Sequence, residues 1–202
     1  MNGSMPRESQ ILNRHLLALL ALLVLALHSA QVKSQTYFGH VVESTLCKEN
    51  ETIMFACNIK KKKVAVCASP RADNPFGVLQ YRFGSSSQSL DLAFPSNDVP
   101  AQAIASGGSR GNMGRGSMQF LRMKNADVTY TVYHDAFSSS YGREDGTEGG
   151  GILIERAGKL LANKQCEADQ VIYSGMLQDE RFFGPAIPID KTPVATFESF
   201  GY

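Results

Sequence analysis

Beyond residue 50, apolar and polar residues alternate with a period of two. That is the spacing at which side chains of an extended strand share one face. Thr52 to Ile59 places Ile53, Phe55 and Cys57 on one side, and Val64, Val66 and Ala68 repeat the pattern after a lysine-rich turn at 60–63. Gly77 to Phe83 separates Leu79, Tyr81 and Phe83 from Val78, Gln80 and Arg82. Ser89 to Phe94 alternates Leu90, Leu92 and Phe94 with Ser89, Asp91 and Ala93. Further strands are predicted over Met118 to Met123, Val128 to Tyr133 and Gly150 to Glu155, the middle one β-branched and aromatic as strands prefer. Turns fall at Asn125 to Asp127 and at Ala157–Gly158, after which Leu160 and Leu161 begin a returning partner. Residues 69–75, 105–117 and 138–149 read as loops, the second a flexible glycine-rich surface loop.

Strands in sequence joined by short turns predict an antiparallel meander, and one sheet buries its apolar face on another. The predicted fold class is therefore mainly β: an antiparallel β-sandwich or open barrel, disulfide-stapled, with a short C-terminal helix over Glu167 to Phe182 and an irregular tail.

The N-terminal part has a different pattern. Arg7, Arg14 and His15 precede Leu16 to Leu27, an unbroken Leu/Ala/Val run of 12 residues. A membrane-spanning helix needs ~20, whereas a signal-peptide core has this length. Val32-Lys33-Ser34 favours cleavage before Gln35, with Ala30 the second choice and an uncleaved anchor the alternative. The expected organisation is a signal peptide over 1–34, a single β-rich domain over 35–180, and an extended or disordered tail over 181–202 that carries Pro185, Pro188 and Pro193. The expected location is periplasmic or secreted, with no membrane attachment after signal removal.

Export changes how the four cysteines are read. Cys47, Cys57, Cys67 and Cys166 all lie beyond the proposed cut, where an oxidising compartment keeps thiols paired. Two disulfides follow, with three pairings open: Cys57 and Cys67 flank a hairpin, or one of them staples the segment ending at Cys166. No short C-x2-C pair supports zinc, and no metal or cofactor is expected. Three of the 20 basic residues and one of the 19 acidic residues precede Gln35, so the remainder has a net charge of −1. A near-neutral chain argues against nucleic-acid binding, which relies on a basic surface.

Residues 106–117 lack both G-K-[ST] and G-x-G-x-x-G, and a strand pattern rather than a helix follows them, which favours a flexible surface loop over a phosphate loop. His134-Asp135 followed by Ser138, Ser139 and Ser140 suggests a hydrolase, but adjacent strand residues point to opposite faces. Glu144, Asp145 and Glu148 lack the spacing of a calcium loop.

The runs 55-FACNIKKKKVAVCAS-69, 79-LQYRFG-84, 127-DVTYTVYHDAF-137 and 151-GILIERAGKLLANKQC-166 resemble a group of uncharacterised exported proteobacterial proteins. In layout the chain is also similar to periplasmic lysozyme inhibitors, small disulfide-bonded β-sandwich or barrel proteins. Inhibitors of the invertebrate-type enzyme carry an S-G-x-x-Y loop motif, where this chain has 138-SSSYGR-143 and 106-SGGSR-110. A β scaffold with long polar loops and no recognisable catalytic constellation points to a noncatalytic domain that binds another macromolecule, with a lysozyme as the sharpest case. The expected binding residues are Ser139, Tyr141 and Arg143, with Arg110 and Arg115. The alternatives are an exported hydrolase using His134 and a structural cell-envelope component.

Overall fold

The computed structural model describes residues 36–37, 40–41, 45–72, 74–112, 116–137, 148–167, 172–173, 182–192 and 194. All belong to one compact unit beginning at Thr36. Strands β1 (Thr36–Tyr37) and β2 (His40–Val41) form a small hairpin of their own. The chain then lays down β3 (Thr52–Ile59), β4 (Lys62–Arg71), β5 (Asn74–Ser86) and β6 (Ser89–Phe94) as an antiparallel meander. A short helix, α1 (Ala101–Ile104), leads into β7 (Ala105–Asn112), β8 (Gly116–Asn125), β9 (Val128–Phe137), β10 (Glu148–Arg156) and β11 (Lys159–Gln165), a second meander. The chain returns to the first sheet at β12 (Ile172–Tyr173), which pairs with β3. The result is two five-stranded antiparallel sheets: sheet I in the order β12-β3-β4-β5-β6, and sheet II in the order β11-β10-β9-β8-β7.

The inner faces of both sheets share one apolar core, with Phe55, Val66 and Leu79 from sheet I and Leu121, Val132 and Ile152 from sheet II. Each fully buried side chain of this size contributes ~1.5–3 kcal/mol. Tyr81 stacks on Phe94 at 5.1 Å, and Tyr130 closes the cluster at 5.0 Å from each ring.

Register decides the disulfides. A β-bulge between Ile53 and Phe55 inserts Met54, so Ile53 leaves the face shared by Phe55 and Cys57. Ile53 packs instead with Ala56, Ala65 and Cys67 on the outer face of sheet I. Alternation along β3 and β4 therefore turns Cys57 inward and Cys67 outward, and these two do not meet. Cys57 bonds Cys166 within the shared core, and Cys47 bonds Cys67 on the outer face. The disulfides point to an oxidising environment for the folded chain.

Three segments differ from expectation. Residues 105–112 and 116–117, expected as part of a flexible loop, are β7 and the start of β8. A Cβ at Gly107 would meet the Phe120 carbonyl and the Phe183 ring, so glycine lets these backbones approach. Residues 69–71 and 74–75, expected as part of a loop, are the end of β4 and the start of β5, with Arg71 paired to Asn74. Within the expected C-terminal helix, Ile172 and Tyr173 are strand, held by pairing to Ala56 and Phe55. The rest of that span up to 181, apart from Glu167, lies outside the described residues. Beyond residue 181, Phe182, Ala186 and Ile187 enter the shared core, with Phe182 edge-on to Phe76 at 5.3 Å.

Candidate functional site

Alternation along sheet II sends Leu121, Val132 and Ile152 into the shared core and Phe120, Tyr133 and Leu153 to the opposite face. There a second apolar cluster forms from Met118, Phe120, Tyr133, Leu153 and Val194. Phe120 pairs with Gly108 and Tyr133 with Gly151, and at Gly151 the missing side chain makes room for the tyrosine. A Cβ at Gly151 would lie 2.7 Å from the Tyr133 hydroxyl. That hydroxyl donates to Asn163 Oδ1 at 3.2 Å.

The C-terminal segment docks along the β7 edge and over this face. The Gly107 N–H donates to the Pro188 carbonyl at 3.1 Å, and the Asp190 N–H donates to the Gly107 carbonyl at 2.8 Å. Asp190 Oδ2 accepts from Arg122 Nη1 at 2.6 Å and from Ser106 Oγ at 2.9 Å, while Oδ1 accepts from the Thr192 N–H at 2.8 Å. Arg122 also donates to the Thr192 carbonyl at 3.2 Å, and Arg110 donates to the Asp190 carbonyl at 3.0 Å. The Arg122 and Arg110 guanidinium carbons lie 4.8 and 5.8 Å from the Phe120 ring centre, within cation–π range.

Burial pushes the Asp190 carboxyl up, but the hydrogen bonds from Arg122, Thr192 and Ser106 outweigh it and hold its pKa down at about 2. A depressed folded-state pKa stabilises above the ordinary carboxyl value of 3.8 and is lost as pH falls through the folded value. Amide protection factors at Asp190 and Thr192, whose N–H groups are hydrogen-bonded, are therefore expected to stay level above pH ~4 and to fall toward pH ~2. Asp190→Asn should show low protection already at neutral pH, with no further step. A level wild-type profile down to pH ~2 would show that the carboxylate does not hold this segment.

No family model, curated protein or solved structure matches this chain.

Of the residues expected to bind a partner, Arg110 belongs to the Asp190 node. Ser139, Tyr141, Arg143 and Arg115 lie outside the described residues. The strand ends that flank them are described. Gly116 pairs with Phe137, and Ala136 pairs with both Ser117 and Glu148. Connections 113–115 and 138–147 therefore leave from the same end of sheet II. His134 stands opposite Gln119 and Gly150, and Asp135 opposite Met118 and Gly149. They occupy successive positions on opposite faces of β9, and both are buried.

A second polar cluster lies on the outer face of sheet I. Arg82 donates to both oxygens of Glu51 at 2.6 Å, to the Leu46 carbonyl at 2.7 Å and to Gln80 Oε1 at 2.6 Å. Cys47, Glu51 and Cys67 place three potential metal ligands within 4.8 Å of one another. Both sulfurs are joined in the disulfide, so neither is a thiolate able to bind metal. Burial raises the Tyr81 phenol well above its ordinary range, with Tyr130 adding to the effect, so Tyr81 stays protonated at physiological pH. Neither cluster was foreseen from residue types. The signal available was a lone cation inside an apolar strand, Arg82 between Tyr81 and Phe83 and Arg122 between Leu121 and Met123.

Proposed function

We propose that this chain is an exported, noncatalytic β-domain that binds another macromolecule, with a lysozyme as the partner in the sharpest form of the reading. The single observation that carries it is the shared departure of connections 113–115 and 138–147 from one end of sheet II. Those two connections hold Arg115, Ser139, Tyr141 and Arg143. Loops on a rigid sheet are where binding residues concentrate. Glycosidases use paired carboxylates in a cleft, and hydroxyls with a guanidinium donate charge-assisted hydrogen bonds to such a pair. The leader-like run Leu16 to Leu27 and the two disulfides support export.

Titration of the mature protein against lysozymes of each type tests the reading. The expected result is stoichiometric loss of lysis with one type, weakened at least ~10-fold by Arg143→Ala, because a charged hydrogen bond contributes roughly 1.5–3 kcal/mol. Undiminished lysis by every type at excess protein removes lysozyme as the partner.

A further inference from the structure

We infer that the Cys47–Cys67 bridge is a thiol-exchange site, at which a small thiol attacks Cys47 Sγ and Cys67 leaves as a thiolate held by the Arg82 guanidinium. The inference goes beyond lysozyme binding. It concerns the outer face of sheet I rather than the connections at the end of sheet II, so failure of either reading leaves the other standing.

The two bridges share one pattern of access. Each joins a half-buried cysteine to a buried one, Cys47 to Cys67 and Cys166 to Cys57. An incoming thiol therefore reaches Cys47 or Cys166, and the sulfur that must leave is that of Cys67 or Cys57. Exchange is faster when the leaving sulfur is the better thiolate. The surroundings of the buried sulfur then decide between the bridges. Arg82, itself buried, donates from Nη1 to Cys67 Sγ at 3.5 Å. A neighbouring guanidinium favours the thiolate over the thiol. Cys57 belongs to the shared apolar core with Phe55, Val64 and Val66. Burial among apolar groups disfavours the thiolate there.

Glu51 is the opposing charge, with a carboxylate oxygen within 4.8 Å of both sulfurs. Both of its oxygens already accept from Arg82 at 2.6 Å, so its charge is met in place. Arg82 Nη1 also donates to the Leu46 carbonyl at 2.7 Å, which leaves the neutral Cys67 sulfur as the longest of its contacts. As a thiolate, that sulfur becomes a charged acceptor and makes the stronger bond. The step balances as an ordinary exchange through a mixed disulfide. The thiolate of the small thiol bonds to Cys47 Sγ, the Cys47–Cys67 bond breaks, and its electron pair leaves on Cys67 Sγ. A second small thiol then attacks the sulfur of the first and releases Cys47. Two small thiols become one disulfide, and the bridge becomes two cysteines. The Cys57–Cys166 bridge and both sheets stay in place, while the stretch just before β3 loses its covalent tie to β4.

The test exposes the oxidised full chain to reduced glutathione without denaturant. Samples are quenched in acid, free thiols are alkylated, and the peptides are read by mass spectrometry. Cys47 and Cys67 are expected to become free at least ~10-fold faster than Cys57 and Cys166. The glutathione adduct caught on the way is expected on Cys47, with Cys67 as the free thiol. Circular dichroism of the opened protein should keep the strand signal. In the Glu51→Ala/Arg82→Met protein, which has lost the cation that receives the leaving thiolate, opening should slow at least ~10-fold. Thermal unfolding confirms that this variant is folded, and the position of the adduct in wild type needs no variant. An adduct on Cys67 overturns the inference. So does opening of Cys57–Cys166 first or at the same rate, loss of the strand signal on opening, or a wild-type rate in the folded double variant.

Discussion

Replacing Cys57 and Cys166 together by alanine is expected to lower the free energy of unfolding by about 4–5 kcal/mol, and replacing Cys47 and Cys67 by about 3 kcal/mol. The difference follows from chain length. The first bridge closes a separation of 109 residues and the second one of 20. On the loop-entropy account, the longer loop removes more freedom from the unfolded chain. Position reinforces the ranking. Cys57 lies on sheet I and Cys166 directly follows β11 of sheet II, so this bridge ties the two layers. Next to it the Glu167 N–H donates to the Asn58 carbonyl at 2.9 Å, and the Cys166 N–H donates to the Gly150 carbonyl at 2.9 Å. The Cys47–Cys67 bridge ties the stretch just before β3 to β4 within sheet I. Urea unfolding of the two double variants against wild type checks this through the midpoints at constant slope. Equal midpoints, or a larger shift for Cys47/Cys67, would mean that the unfolded chain is not what the long bridge constrains. Losing both bridges removes about 7–8 kcal/mol, comparable with the whole stability of an ordinary domain. The reduced chain should therefore be largely unfolded, which ties its folded state to an oxidising compartment.

That ranking could not be read before the register was known. Period-two alternation identified β3, β4, β6, β8, β9 and β10 because each buries one face and exposes or specialises the other. It also placed Gln80 and Arg82 opposite Leu79 and Tyr81. The bulge at Met54 has no hydropathy signature, yet it moves Ile53 to the outer face and sets which cysteine each layer holds. Strand β7 was missed for a related reason. Gly107, Gly108 and Gly111 carry no side chain whose polarity alternates, and Gly107 is glycine because the Phe120 carbonyl and the Phe183 ring lie where a Cβ would be. Most of the binding residues proposed from composition sit in hairpin connections, where residue type suggests chemistry but not position. The two polar clusters join residues 31 and 68 positions apart. Nothing local in a sequence pairs Glu51 with Arg82 or Arg122 with Asp190; only the lone cation within an apolar strand marks one half of each pair.

The Glu51–Arg82 pair carries the second large effect: Glu51→Ala is expected to destabilise the fold by about 3–5 kcal/mol. The side chains are only 7% and 4% exposed, and Arg82 donates to both carboxylate oxygens. Removing the carboxylate leaves a guanidinium buried on the outer face of sheet I with only Leu46, Gln80 and the Cys67 sulfur as neutral partners. An uncompensated buried charge costs far more than the net worth of the pair it came from. The double variant Glu51→Ala/Arg82→Met should therefore be more stable than Glu51→Ala alone, because the buried charge is gone and an apolar side chain covers Ala65 and Cys67. pH supplies a separate check. Burial raises the Glu51 carboxyl, but the Arg82 hydrogen bond and charge and the Lys48 N–H outweigh it, so its pKa lies below the ordinary 4.5. The pair thus contributes fully above pH 4.5 and loses its contribution as pH falls through the lower folded value. Wild type should lose stability in that acid window by an increment that the double variant lacks. Urea midpoints at pH 7 and across the acid range, completed as a double-mutant cycle, measure both quantities. If Glu51→Ala costs less than ~1 kcal/mol, the pair behaves as an exposed ion pair and does not anchor residues 45–51.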